Sequence, residues 1–83
     1  MEKKLLDMNF YCDVGVYYLA DAIRLRKENR YMRIVDIIKK MSAKSGRSAV
    51  SVETAMRRCL KRSENEYSAD TLDIAINKLA IIL

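Results

Sequence analysis

Histidine and proline are absent from this 83-residue chain, glycine occurs only as Gly15 and Gly46, and cysteine only as Cys12 and Cys59. Without histidine the usual proton shuttle near neutral pH is missing, and the acids are scattered along the chain. The two cysteines lack metal-ligand spacing and are too few for a disulfide framework. A single glycine at Ser45-Gly46 does not make a phosphate cradle. These absences argue against an enzyme, a metal centre or a bound cofactor. The lack of proline, with Ala, Leu, Ile, Lys, Arg and Glu at helical spacing, argues for an all-α domain. No apolar run approaches the roughly 20 residues of a membrane span; the C-terminal KLAIIL is far shorter. With no signal peptide to be read, a reduced, cytoplasmic protein without membrane contact is expected.

Half of the residues are apolar, enough for one small core and against disorder. A single domain over residues 1–83 is expected, as a bundle of five to six helices. The charge is unevenly placed. Residues 1–23 carry two bases against four acids, and residues 63–83 one base against four. Residues 24–62 carry thirteen bases against three acids, a net +10. Such a block attracts polyanions and releases counterions on binding. Charge alone does not separate DNA from ribosomal RNA or a membrane surface.

Taken in order, residues 2–10 (EKKLLDMNF) read as a short helix or ordered arm over the core. YCDVG (11–15) reads as a break, with Asp13 able to cap and Gly15 permitting unusual backbone angles. Val16 to Lys27 reads as a central helix, with Tyr18, Leu19, Ala22 and Ile23 inside and Asp21, Arg24, Arg26 and Lys27 mostly outside. Tyr17 and Tyr18 beside that stripe read as core in preference to a stacking platform for bases. In residues 31–45, Ile34, Ile37, Ile38 and Met41 fit a helix better than a strand, either continuous or bent near Lys39–Lys40. Gly46 suits a left-handed C-terminal cap. SENEYSA (63–69) reads as a polar loop, and a closing helix is expected over about 69–82, with Ser68 as its cap and Asp70 in its first turn.

The most informative stretch is Arg47 to Arg62, RSAVSVETAMRRCLKR. Val52, Ala55, Met56, Cys59 and Leu60 recur at the spacing of a helix packed on one face, and Ser48 can cap it. The other face carries Ser51, Thr54, Arg57, Arg58, Lys61 and Arg62, with Glu53 near the start. A helix, a tight glycine turn and a second amphipathic helix, over about 34–62, is the layout of a helix-turn-helix.

Three blocks resemble the C-terminal DNA-binding effector domain of the stage-zero sporulation response regulator family. Gly15-Val-Tyr-Tyr-Leu-Ala-Asp-Ala-Ile23 is similar to the family's glycine-x-x-tyrosine-leucine-x-x-alanine-isoleucine helix. Val52-Glu-Thr-Ala-Met-Arg-Arg-Cys-Leu60 looks like its recognition helix. Ala75-Ile-Asn-Lys-Leu79 looks like the end of its last helix. The blocks are collinear and span most of residues 15–79. The resemblance implies a bundle of about six helices whose recognition helix reads guanine-rich boxes, with copies bound head to tail on tandem sites. By position, the family's base-contacting glutamate is Glu53, and the arginine after it is Thr54 here. The next arginine is Arg57, and the family's histidine is Arg58. The family's tyrosine-proline aligns with Lys39-Lys40. Its receiver domain has no counterpart in these residues, so no phosphorylation switch is expected. The segment that includes its RNA polymerase-engaging surface is shortened to SENEYSA, so a polymerase contact does not carry over.

The function expected is sequence-specific binding of double-stranded DNA by a transcriptional regulator, with residues 48–62 in the major groove. Ser51, Glu53, Thr54 and Arg57 would face bases. Arg47, Arg58, Lys61 and Arg62 would face phosphates, with Lys39, Lys40 and Lys44 holding the backbone beside them. One such domain offers limited contact area, so a homodimer or tandem binding is expected. The alternative is a protein-interaction module or small inhibitor that keeps the helix-turn-helix shape without reading DNA. The acidic segments at both ends and Thr54 in place of the arginine favour that alternative.

Overall fold

The computed structural model describes residues 1–11 and 13–83; Cys12, one of the two cysteines expected to form no disulfide framework, lies outside them. Among the described residues five α-helices follow one another: α1 (Glu2–Asp7), α2 (Val14–Glu28), α3 (Ile34–Ser45), α4 (Ala49–Arg62) and α5 (Leu72–Ile82). A single 3₁₀ turn, Glu66–Ala69, sits between α4 and α5. The all-α class expected from composition is the one observed, and among the described residues there is no strand. No helix among them is long and apolar enough to cross a membrane.

The core gathers around α2, which packs against each of the other four helices. Val16, Leu19, Ala20, Ala22 and Ile23 of α2 meet Ile37 and Met41 of α3, Val52, Met56 and Cys59 of α4, and Leu72, Ile76 and Leu79 of α5. Burying a side chain of the size of Met56 or Leu60 contributes about 1.5–3 kcal/mol. The spacing in the sequence identified most of these positions, because a helix with a wet and a dry face must repeat every three to four residues. Leu5 and Phe10 bring α1 onto the same core. The joint between α1 and α2 is fastened to the joint after α4: Asn65 Nδ2 donates to the Met8 carbonyl at 2.8 Å, and the Glu64 amide donates to the Asn9 carbonyl at 3.0 Å.

Several local readings are corrected. The break read over 11–15 ends at Asp13, and Gly15 lies just past it as the second residue of α2, where a Cβ would stand 2.5 Å from the Ala55 carbonyl oxygen and 2.6 Å from Cys59 Cβ. The glycine is there to let α2 and α4 approach, which is an effect of packing, whereas the sequence suggested one of backbone freedom. Asp13 does cap, its carboxylate accepting the Gly15 amide at 2.8 Å. Residues 34–45 form one continuous helix, uninterrupted at Lys39–Lys40. Tyr17 is exposed, while Tyr18 rests against the core. Ala55, at the edge of the α4 stripe, is only half-buried.

SENEYSA is not a plain loop. Phe10 and Tyr67 stack with ring centroids 6.3 Å apart, and burial of Tyr67 draws residues 66–69 into the 3₁₀ turn. Asn65 caps that turn by accepting the Tyr67 amide at 2.9 Å. The closing helix therefore starts later than expected. Thr71, and not Ser68, is its cap, accepting the Ile74 amide at 3.4 Å, and Asp73 replaces Asp70 in the first turn. The Ser68 hydroxyl instead donates to the Asn65 carbonyl.

Arg26, placed outside by its helix position, is buried. Its guanidinium donates to Asn77 Oδ1 and, at 3.0 Å, to Asp73 Oδ1. The charge is tolerated there because both partners project from α5 onto the same spot.

Candidate functional site

The outward face of α4 is built by two constraints that the sequence supplies separately. Val52, Met56, Cys59 and Leu60 hold one side of the helix in the core. The remaining positions must then face away, and they are polar, cationic or small. Ser51, Thr54, Arg57, Arg58, Lys61 and Arg62 are all exposed, and Glu53 is half-exposed.

The entry to α4 is held firmly. The Gly46 backbone is left-handed at φ 74°, a conformation glycine adopts without a side-chain penalty. Its amide donates to the Ser42 carbonyl at 3.0 Å, and the Ser42 hydroxyl donates to the Arg47 carbonyl at 2.5 Å. Ser48 caps α4 by accepting the Ser51 amide at 3.1 Å, while its hydroxyl donates to Ser51 Oγ at 2.9 Å. Loss of such a cap costs about 1 kcal/mol. These bonds fix the angle at which α4 leaves the three-residue turn between α3 and α4.

The expected site residues divide into groups. Arg47, Ser51, Thr54 and Arg58 line one shallow depression with Val14 and Val50. On the other edge, Lys39 of α3 meets the first turns of α4 at Val50 and Glu53. Lys61 continues the outward face toward the C-terminus of α4, and Arg62 ends the helix. Lys40 and Lys44 are not brought to this surface: they line a groove between α3 and α2 that also contains Asp21, Arg24 and Glu28. Lys39 and Lys40 are neighbours in sequence, and the step of about 100° around the helix between them is enough to send them to different flanks.

Glu53 Oε1 accepts from Arg57 Nη2 at 3.3 Å. An exposed pair one helical turn apart is worth about 0.3–0.5 kcal/mol, so it opens readily when a better partner arrives. Among the described residues, Arg47, Arg58, Lys61, Arg62 and Lys39 have no carboxylate within salt-bridge distance, given the ion pairs that form elsewhere. The face is therefore a set of solvated cations around a small polar centre. Val50, 73% exposed, was missed by the sequence reading. It is an apolar residue off the buried stripe, next to Ser51 and Thr54, and its position on the helical wheel is the signal that identifies it.

Cys59 is buried in the α4 stripe, as its spacing predicted, and its thiol lies 4.0 Å from the Tyr11 carbonyl. Burial first, and the Asp13 carboxylate second, push its pKa up to about 11. A thiol so placed is not a nucleophile at neutral pH. No group of three or more acids or cysteines among the described residues converges as a metal site.

Comparison of the chain with family models, with curated proteins and with solved structures returned no match.

Proposed function

We propose that this chain binds double-stranded DNA sequence-specifically as a transcriptional regulator, presenting α4 to the major groove and using α3, the turn and α4 as a helix-turn-helix. In this reading it is a divergent relative of the sporulation-regulator effector domains that its sequence resembles. The observation that carries the proposal is the outward face of α4: cations that, Arg57 apart, have no carboxylate partner among the described residues surround short polar side chains, on a helix locked in angle by Gly46, Ser42 and Ser48. A helix of about 10–12 Å diameter fits a major groove about 12 Å wide.

The roles follow from position. Ser51 and Thr54 can exchange hydrogen bonds with base edges, Glu53 can accept from a cytosine amino group, and Arg57 can reach a guanine once released from Glu53. Val50 supplies an apolar surface for a thymine methyl group. Arg47, Arg58, Lys61, Arg62 and Lys39 would pair with phosphates and fix the register. Lys40 and Lys44, on the other flank of α3, take no part. Two copies, as a dimer or on tandem sites, would supply the contact area that one copy lacks.

Selection of bound sequences from a random DNA pool tests the proposal. A recovered motif supports it, and a pool that remains random after repeated selection contradicts it. A second reading, a protein-interaction module or small inhibitor, draws on the outward isoleucines of α5, of which Ile81 is 82% exposed and Ile74 half-exposed. Retention of a protein partner by the chain at physiological salt, with no nucleic acid retained, would favour it.

A further inference from the structure

The link between α2 and α3 carries a second cationic surface that the α4 reading does not use. Asn29 Oδ1 accepts the Tyr31 amide at 3.1 Å, and the Asn29 carbonyl accepts the Met32 amide at 3.2 Å. Met32 and Ile34 then pack against the core. The link is thus pinned on both sides of Tyr31, a residue that is nevertheless 94% exposed. An aromatic ring held out in this way contributes nothing to the core.

Arg30 and Arg33 flank Tyr31, and both are exposed. Among the described residues the one ion pair of this group is Arg33 Nε with Asp36 at 3.7 Å, and Asp73, which lines the same depression, is bonded to Arg26. The surface is also continuous with the α4 site. Arg30, Tyr31 and Arg33 line a depression that ends at Val35, and Val35 lines the next one with Lys39, Val50 and Glu53.

We infer that this link is a second contact to the DNA backbone, on the strand flanking the groove that receives α4. Arg30 and Arg33 pair with phosphates, and Tyr31 donates its hydroxyl to a phosphate oxygen while its ring lies on the sugar. The inference rests on the DNA-binding reading above. Continuity with the cationic face of α4 selects a nucleic-acid backbone over an acidic peptide as the occupant.

The test is an anisotropy titration of a fluorescent random-sequence duplex across salt, with the wild-type chain, Arg30→Ala/Arg33→Ala, Tyr31→Ala, Tyr31→Phe and Arg58→Ala. All four residues are exposed, so these substitutions are expected to keep the fold. The double variant is expected to lower the slope of log affinity against log salt by about two, roughly 0.9 per lost phosphate contact. Tyr31→Ala should weaken binding more than Tyr31→Phe, which keeps the ring. If Arg58→Ala flattens the slope while the link variants leave affinity and slope unchanged, the inference is overturned and the α4 reading stands. If the wild-type chain does not bind the duplex, both are overturned. Loss of binding to polyglutamate in the double variant, with DNA binding intact, would also overturn it in favour of an acidic peptide.

Discussion

Arg24 and Arg26 of α2 and Arg57, Arg58, Lys61 and Arg62 of α4 belong to the same basic stretch of sequence, yet the fold uses them in opposite ways. Arg24 Nη2 donates to both oxygens of Glu2 at 2.9 and 3.1 Å, and Nη1 donates to Asp21 at 2.8 Å. Arg26 is enclosed by Asp73 and Asn77. The acids that answer these arginines come partly from the two acidic ends of the chain. On α4 only Arg57 has an acid partner, and that one lies on its own helix. A block of like charge in a sequence is thus not one surface. The acidic termini fold back on its N-terminal part and leave the later part free for an external polyanion.

Changes at the seat between the two helices should have the largest effect. Gly15→Ala removes a flexible residue from the first turn of α2, which alone would favour folding by less than the roughly 1 kcal/mol of a helix interior. The added methyl group collides with the Ala55 carbonyl and Cys59 Cβ, and backbone cannot step aside as a side-chain tip can. Overpacking at about 1–3 kcal/mol wins, so chemical denaturation should show a net loss of stability. The proposed DNA binding, which depends on the placement of α4, should fall with it. An unchanged denaturation midpoint would mean that the close approach of α2 and α4 does not hold in solution.

Arg26 comes next. Arg26→Ala removes the packing of its stem and its hydrogen bonds to Asp73 and Asn77, two exposed acceptors that water can satisfy instead, at a cost of about 1 kcal/mol. Arg26→Met keeps the stem and removes the buried Nε, which has no hydrogen-bond partner. That variant should recover most of the loss, because replacing a buried ion by an apolar side chain of similar volume is often neutral. Equal losses for the two variants would show that the charge matters more than the packing.

These two residues also show where the sequence was legible. The α4 stripe, the Ser48 cap and the Gly46 turn could be read because each depends on neighbours within about one helical turn. Arg26 could not, since its partners lie 47 and 51 residues away. Gly15 could not, since what constrains it is another helix. The start of α5 was misplaced because Ser68 and Thr71 offer the same hydroxyl, and Tyr67 stacking on Phe10 decided between them. The same limit applies to the candidate site. The outward set on α4 follows from periodicity alone, but the separation of Lys39 from Lys40 and Lys44, and the continuity from Tyr31 through Val35 to Val50, appear only when the helices are packed.

A smaller effect is expected at alkaline pH. In the unfolded chain the Cys59 thiol ionises near its ordinary 9.0, whereas in the fold its pKa stands at about 11. Its contribution to stability is therefore complete below pH 9.0 and is lost as pH rises toward 11, because the unfolded state releases the proton first. Cys59→Ala should flatten this part of the stability profile while lowering its level slightly. A decline equally steep in the variant would assign it to other groups. Arg24→Ala should have the smallest effect, about 0–1 kcal/mol in stability, as its ion pairs are exposed.

The most direct measurement is a salt-dependent DNA titration of Arg58→Ala, Lys61→Ala and Arg24→Ala side by side. Each of the α4 variants is predicted to lower the salt slope by about one and to weaken all sequences alike, with folding stability changed by no more than about 0.5 kcal/mol. Arg24→Ala is predicted to leave the slope unchanged. Slopes that respond to Arg24 as strongly as to Arg58 and Lys61, or to none of the three, would contradict the division of the basic block into an internal and an external half.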